Sequence, residues 1–344
     1  MKALAETFRE GDFIETKEGF IFDVKGLVHP PNSVVAYIRY VPDRTGSRNR
    51  NGTSFRKIYE LSDRYSFLRR RAPEYLVHDV VFDEEMIEVP RTRIARHYEP
   101  LTRTRELLRN ARTALERKSI EMITILASAS STSAEEFGIS GSVLVGLAGP
   151  VSDIDIIVYG NERSQGIRKV LRALLKEDNS FKAYGEEKLR KLFESRHEET
   201  GIPFGDYVRC EARKDFQGYF KGTDFFVRYV KDVHEVNEEY DSIIYRALGR
   251  SRLEATVTGD KEAIFTPCTY QIKDISMTTT DVMPPKEIVS FRGQFCEQAR
   301  VGEKVAAQGK IEQLSKKNRT WNRMLLGSAR TDFMIAYHSG CGDG

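Results

Sequence analysis

The run SDIDIIVYG, residues 152–160, constrains this chain more than any other segment. Ile154, Ile156, Ile157 and Val158 are β-branched and apolar, which marks a strand bound for the interior of a sheet. Alternation along that strand puts Asp153 and Asp155 on one face and Ile154 and Ile156 on the other. Two carboxylates about 7 Å apart on one face repel each other. A divalent cation removes the conflict. Magnesium suits the pair because it takes one or two carboxylates and completes its shell with water and phosphate.

A second signal stands just upstream. Gly141 and Ser142 precede Asp153 with VLVGLAGPVS between them. Glycine lets backbone N–H groups approach a phosphate closely, and the serine adds a hydroxyl donor. An isolated Ser-Asp-x-Asp reads as a turn cap or an ion pair. With Gly-Ser at this spacing and the apolar IIVY behind it, the stretch reads as a nucleotide site. Gly141 and Ser142 are the expected phosphate contacts, and Asp153 and Asp155 the expected metal ligands.

The pattern Gly-Ser, ten residues, Asp-x-Asp with apolar flanks resembles the signature of the DNA polymerase β nucleotidyltransferase superfamily. The chain as a whole looks like one of its largely archaeal members of undetermined function. The resemblance implies an α+β fold: a polymerase β-like core of mixed sheet and helices, flanked by a small N-terminal β/α module and a small C-terminal barrel-like one. It implies transfer of a nucleoside monophosphate from an NTP, ATP first, to an acceptor hydroxyl, with two Mg²⁺ ions. In that superfamily a third carboxylate on a later strand completes the metal site and takes the proton of the attacking hydroxyl. TDFFVRYV, residues 223–230, offers Asp224 for this role, with Arg228 on the same face as a phosphate contact. Glu211 and Asp206 are the rivals. Relatives often carry an Arg or another polar residue soon after Gly-Ser, whereas this chain has Val143, Leu144 and Val145. The other reading is a nucleotide- or RNA-binding protein that keeps the fold without the catalysis.

Composition bounds the rest. A chain of 344 residues predicts two or three domains. The N-terminus has no apolar leader, no apolar run reaches the ~18 residues of a membrane helix, and the four cysteines lie far apart. A cytoplasmic protein is expected. Net charge is only +3, yet between Arg39 and Lys118 there are 19 Lys/Arg against 12 Asp/Glu. Arg44, Arg48, Arg50, Arg69, Arg70 and Arg71 are the expected contacts to a nucleic acid, such as a tRNA, through its phosphates. RNA is the expected acceptor, ahead of a protein side chain or a small molecule. The expected modules are 1–99, basic and β/α; 100–240, the transferase core; 255–336, β-rich and similar to an oligonucleotide-binding barrel; and a disordered tail, 337–344. Helices are expected from about residue 55 to 72 and, unbroken, over 101–130. DYVRCEARKDF, 206–216, is expected to be extended.

Overall fold

The computed structural model describes residues 7–197, 200–236 and 238–337. The expected tail lies outside these residues except for Tyr337. The described residues form a mixed α+β arrangement. No helix among them is long and apolar enough to cross a membrane. The chain divides into two units: residues 1–79, 84–181 and 218–240 in one, and 80–83, 182–217 and 241–344 in the other.

The first unit opens with β1 (Phe13–Thr16), β2 (Ile21–Val24), β3 (Ser33–Pro42), β4 (Arg48–Arg50), β5 (Thr53–Lys57), α1 (Leu61–Arg71), β6 (Leu76–Asp79), β7 (Glu84–Pro90) and β8 (Ile94–Tyr98). These strands make one sheet, in the order β4-β5-β3-β2-β1-β8, with β7 on β3 and β6 on β7. Strand β5 replaces the start of the helix expected from residue 55. Its cause is a tight hairpin: Arg50 pairs with Thr53 across Asn51-Gly52, both at positive φ (51° and 81°). Asn-Gly supplies the backbone twist that two-residue hairpins require. Phe55 therefore points into the core from a strand, and the helix begins only at Leu61.

The rest of this unit is α2 (Pro100–Asn110), α3 (Ala114–Ser130), β9 (Phe137–Ile139), α4 (Gly141–Leu144), β10 (Ile154–Tyr159), α5 (Asn161–Glu177), β11 (Phe181–Lys182), β12 (Gln217–Phe220) and β13 (Thr223–Val230). Its sheet runs β11-β12-β13-β10-β9, with β10 parallel to β13 and antiparallel to β9. The helix expected over 101–130 is broken after Asn110. Thr113 caps α3 by accepting from the Glu116 N–H, while the Glu116 carboxylate accepts from the N–H groups of Arg112 and Thr113, both at 2.9 Å. This capping box starts a new helix.

Between the two sheets, the apolar residues after Gly-Ser find their place. Leu144, Val145 and Leu147 share one core with Phe13, Ile21, Tyr40, Phe55 and Tyr98 of the N-terminal sheet. Each such buried side chain contributes about 1.5–3 kcal/mol. The segment that lacks a polar residue is thus the surface on which the N-terminal sheet docks.

The second unit holds α6 (Glu186–His197), α7 (Phe204–Glu211), β14 (Ile244–Glu262), β15 (Cys268–Met277), β16 (Glu287–Ser290), β17 (Lys304–Lys316), β18 (Arg319–Leu326) and β19 (Phe333–Tyr337). Helix α7 stands where an extended segment was expected. Tyr207, Cys210 and Glu211 are its buried face, at a helical spacing. Pairing runs β14-β15-β16-β18-β17-β19, and β17 also pairs with β14. Five strands are thereby linked in a circuit from β14 through β15, β16, β18 and β17 back to β14, with β16 and β18 parallel.

Candidate active site

The Asp-x-Asp pair sits where a buried strand begins. Ile154 and Ile156 are fully buried, whereas Asp155 is partly exposed and Asp153 exposed. Ser140 N–H donates to the Asp155 carbonyl at 2.9 Å, which ties the Gly-Ser turn to β10. Gly141 has φ +60°, and a Cβ placed on it would overlap Asp155 Oδ2 and lie 2.8 Å from its Cγ. Only glycine lets the turn rest on that carboxylate. Ser142 is 4% exposed, and among the described residues its Oγ has no hydrogen-bond partner. Such an orphaned hydroxyl costs free energy unless a ligand satisfies it.

These groups share one cleft. It is small, with a cavity volume of about 80 Å³. Its other wall comes from the N-terminal sheet: Phe13, Asp23, Arg39, Tyr40 and Lys57. No motif in the sequence announced these residues. Asp23 is ion-paired with Lys25 at 2.8 Å. Burial alone would raise its pKa, but Lys25, Arg228 and Arg39 outweigh burial and hold it below the usual carboxylate range. Arg228 also lines the cleft, paired with the buried carboxylate of Glu10, which accepts from Gly26 N–H at 2.7 Å as well. Among the described residues Arg39, Lys57, Asp153 and Asp155 make no side-chain hydrogen bond or ion pair, although Lys57 lies 4.8 Å from the Tyr59 ring centroid. Burial, and next the charge of Asp153, push the Asp155 carboxyl up to about 7 against the pull of Arg228, Lys57 and Arg39. Burial, and next Arg39, bring the Lys57 ammonium down to about 8.

The remaining expected residues are placed as follows. In the parallel register Ile154 pairs with Phe225 and Asp155 with Phe226, so Asp224 stands level with Asp153 while Phe226 faces Asp155. Asp224 does not line the cleft. Glu211 is buried with Lys214 and accepts from Gln217 at 2.8 Å, and Asp206 is paired with Arg209, all in the second unit. Among the described residues no three His, Cys, Asp or Glu side chains converge as a metal-binding group. Arg48 is buried and donates to Ser152 Oγ at 2.9 Å. Arg50 reaches Tyr98 Oη at 2.7 Å, the Val145 carbonyl at 3.1 Å and Glu15 at 2.7 Å. These two arginines brace the loop between the Gly-Ser turn and the aspartates. Arg44, Arg69, Arg70 and Arg71 are exposed, with Arg69 paired to Glu85.

Comparison with known proteins meets this geometry. Residues 120–216 match the family model described as a nucleotidyltransferase domain. The match includes Gly141, Ser142, Asp153 and Asp155 and ends before Asp224. An uncharacterized protein of Methanocaldococcus jannaschii is 29% identical over 333 residues, covering 94% of this chain and 96% of the relative. No solved structure gives a significant match. The chain is therefore similar almost end to end to an archaeal protein, and over residues 120–216 it is similar to a nucleotidyltransferase domain.

Proposed function

We propose that the protein transfers a nucleoside monophosphate from an NTP, ATP first, to an acceptor hydroxyl. One observation carries the reading: the Gly-Ser turn lies directly on the Asp155 carboxylate, so the turn we read as phosphate-binding and the carboxylate we read as metal-binding share one cleft. The donor set fits magnesium, which is content with two carboxylates if water and phosphate fill its other positions. Asp153 and Asp155 would hold two such ions, which when bound supply charge neutralisation at the transferring phosphoryl group. The orphaned Ser142 Oγ and the backbone N–H groups of its turn bind phosphate oxygens. The acceptor oxygen forms a bond to the α-phosphorus as the bond to the β-phosphate bridging oxygen breaks, and pyrophosphate leaves. The acceptor proton passes to a carboxylate; our choice is Asp224, which is level with Asp153 on the neighbouring strand but outside the cleft lining, so the choice requires the acceptor to reach past that lining.

For the acceptor we propose RNA in the cytoplasm. Two features support this: the exposed Arg44, Arg69, Arg70 and Arg71, and the five-strand circuit, which we read as a small barrel of the oligonucleotide-binding type. A second reading is favoured by Phe226, which stands opposite Asp155 where a third carboxylate would complete the site. Under it the protein binds nucleotide or RNA without transfer. Incubation with α-labelled NTPs, Mg²⁺ and total RNA and protein separates the two. Label that appears on RNA and is lost in Asp155→Asn supports transfer. Magnesium-dependent NTP binding with no labelled acceptor supports the second reading and refutes the first.

A further inference from the structure

Opposite charges that face the same cleft normally pair. Here two carboxylates, Asp153 and Asp155, and two cations, Arg39 and Lys57, do not. Each is fixed by its own strand or strand edge. Arg39 sits on β3, whose neighbour Tyr40 pairs directly with Lys57 of β5. The Asp-x-Asp pair stands at the head of β10. The third cleft cation, Arg228, is engaged by Glu10. Arg39 and Lys57 are thus the cleft cations left with neither a hydrogen bond nor an ion pair among the described residues. They come from the sheet that docks on Leu144, Val145 and Leu147, where the polar residue expected after Gly-Ser is missing.

We propose that Arg39 and Lys57 grip the β- and γ-phosphates of the nucleoside triphosphate, and so hold the pyrophosphate as it leaves. The assignment rests on the nucleotidyltransferase reading above. Charge accounting supports it. Two divalent ions and two carboxylates leave a surplus of about two positive charges, and a triphosphate of about four negative charges exceeds this by about two. Arg39 and Lys57 supply the difference. The N-terminal sheet is then part of the nucleotide site, and its two cations distinguish a triphosphate from a monophosphate.

Calorimetry tests this with Mg²⁺ and the non-transferable α,β-methylene-ATP, compared with AMP. Arg39→Ala and Lys57→Ala should each weaken the triphosphate analogue about 10–100-fold, the worth of a charge-assisted phosphate contact, and AMP less than about threefold. Arg39→Lys should retain most of the affinity. Inorganic tripolyphosphate should compete with the analogue on the unaltered protein, which needs no variant to fold. Variants that melt like the parent and bind the analogue as the parent does would overturn the proposal, as would equal losses for AMP and analogue. If analogue binding depends on Asp155 but not on Arg39 or Lys57, the transferase reading survives and this assignment fails. If tripolyphosphate binds through Arg39 and Lys57 while no nucleotide binds, the cation site stands and the transferase reading fails.

Discussion

Replacing Gly141 with alanine isolates the contact on which the site depends. The new Cβ would overlap Asp155 Oδ2 and approach Asp155 Cγ and Cβ to 2.8 and 3.1 Å. Asp155 must then leave its position or the turn must open. The left-handed backbone at φ +60° adds a penalty of about 1–2 kcal/mol for any side chain. Forcing Asp155 off its rotamer adds about 0.5–1.5 kcal/mol. Gly146→Ala is the matched control: its φ is +69°, but its Cβ would meet only the Arg50 side chain, Cδ at 3.5 Å and Cγ at 3.8 Å, both ordinary contacts. Gly146→Ala should therefore cost about 1–2 kcal/mol and Gly141→Ala about 1.5–3.5 kcal/mol, read by urea unfolding. The larger separation is in function. Displacing one of two carboxylates should weaken Mn²⁺ binding, followed by electron paramagnetic resonance, and cut nucleotide transfer at least about 100-fold, whereas Gly146→Ala stays within about threefold. A Gly141→Ala protein that binds Mn²⁺ and transfers label as the parent does would refute the packing of turn on carboxylate, and the reading built on it.

Asp155→Asn should raise stability in the absence of divalent metal. The folded carboxyl has its pKa pushed up to about 7, above the unfolded value, so its contribution is present at low pH and lost as pH rises toward 7. The variant should gain on the order of 2–4 kcal/mol in urea unfolding at pH 8 with EDTA, and saturating Mg²⁺ should erase the gain. His29 titrates in the opposite sense: its Nδ1 accepts from Val35 N–H, its Nε2 faces the Phe8 carbonyl, and burial lowers its pKa to about 4. Stability present above about pH 6.5 should fall by about 3 kcal/mol as pH drops to about 4, and His29→Gln should flatten that slope in unfolding series at both pH values. Arg48→Ala should cost about 1–3 kcal/mol because it strips Ser152 of a buried donor, whereas Arg44→Ala at the exposed surface should stay within about 0.5 kcal/mol.

Of the residues that line the cleft, those close together in sequence were legible as a group, and those far upstream were not. The Asp-x-Asp pair could be read because strand alternation is local, and Gly-Ser because ten residues are enough to fold one onto the other. Arg39 and Lys57 lie about a hundred residues upstream of the aspartates, in a module that carries no motif. Yet the obstacle was local rather than one of distance. Phe55, Ile58 and Tyr59 fall at a helical spacing, and that spacing puts Lys57 on the wet face of a helix. Asn51-Gly52 was the competing signal. A two-residue Asn-Gly turn demands a hairpin, the hairpin makes 53–57 a strand, and a strand there pairs Lys57 with Tyr40, beside Arg39. The same weighing decides the other misread segments. At 111–116 the capping box of Thr113 and Glu116 outranks a continuous apolar stripe, because it satisfies N–H groups that the stripe leaves open. At 204–211 the helical set Tyr207, Cys210 and Glu211 buries together, which an alternating strand could not achieve. The VLV that looks like a defect in the motif follows from the same hairpin. With Phe55 brought inward on β5, Leu144 and Val145 gain an apolar partner, and Arg39 and Lys57 on the same sheet reach the cleft.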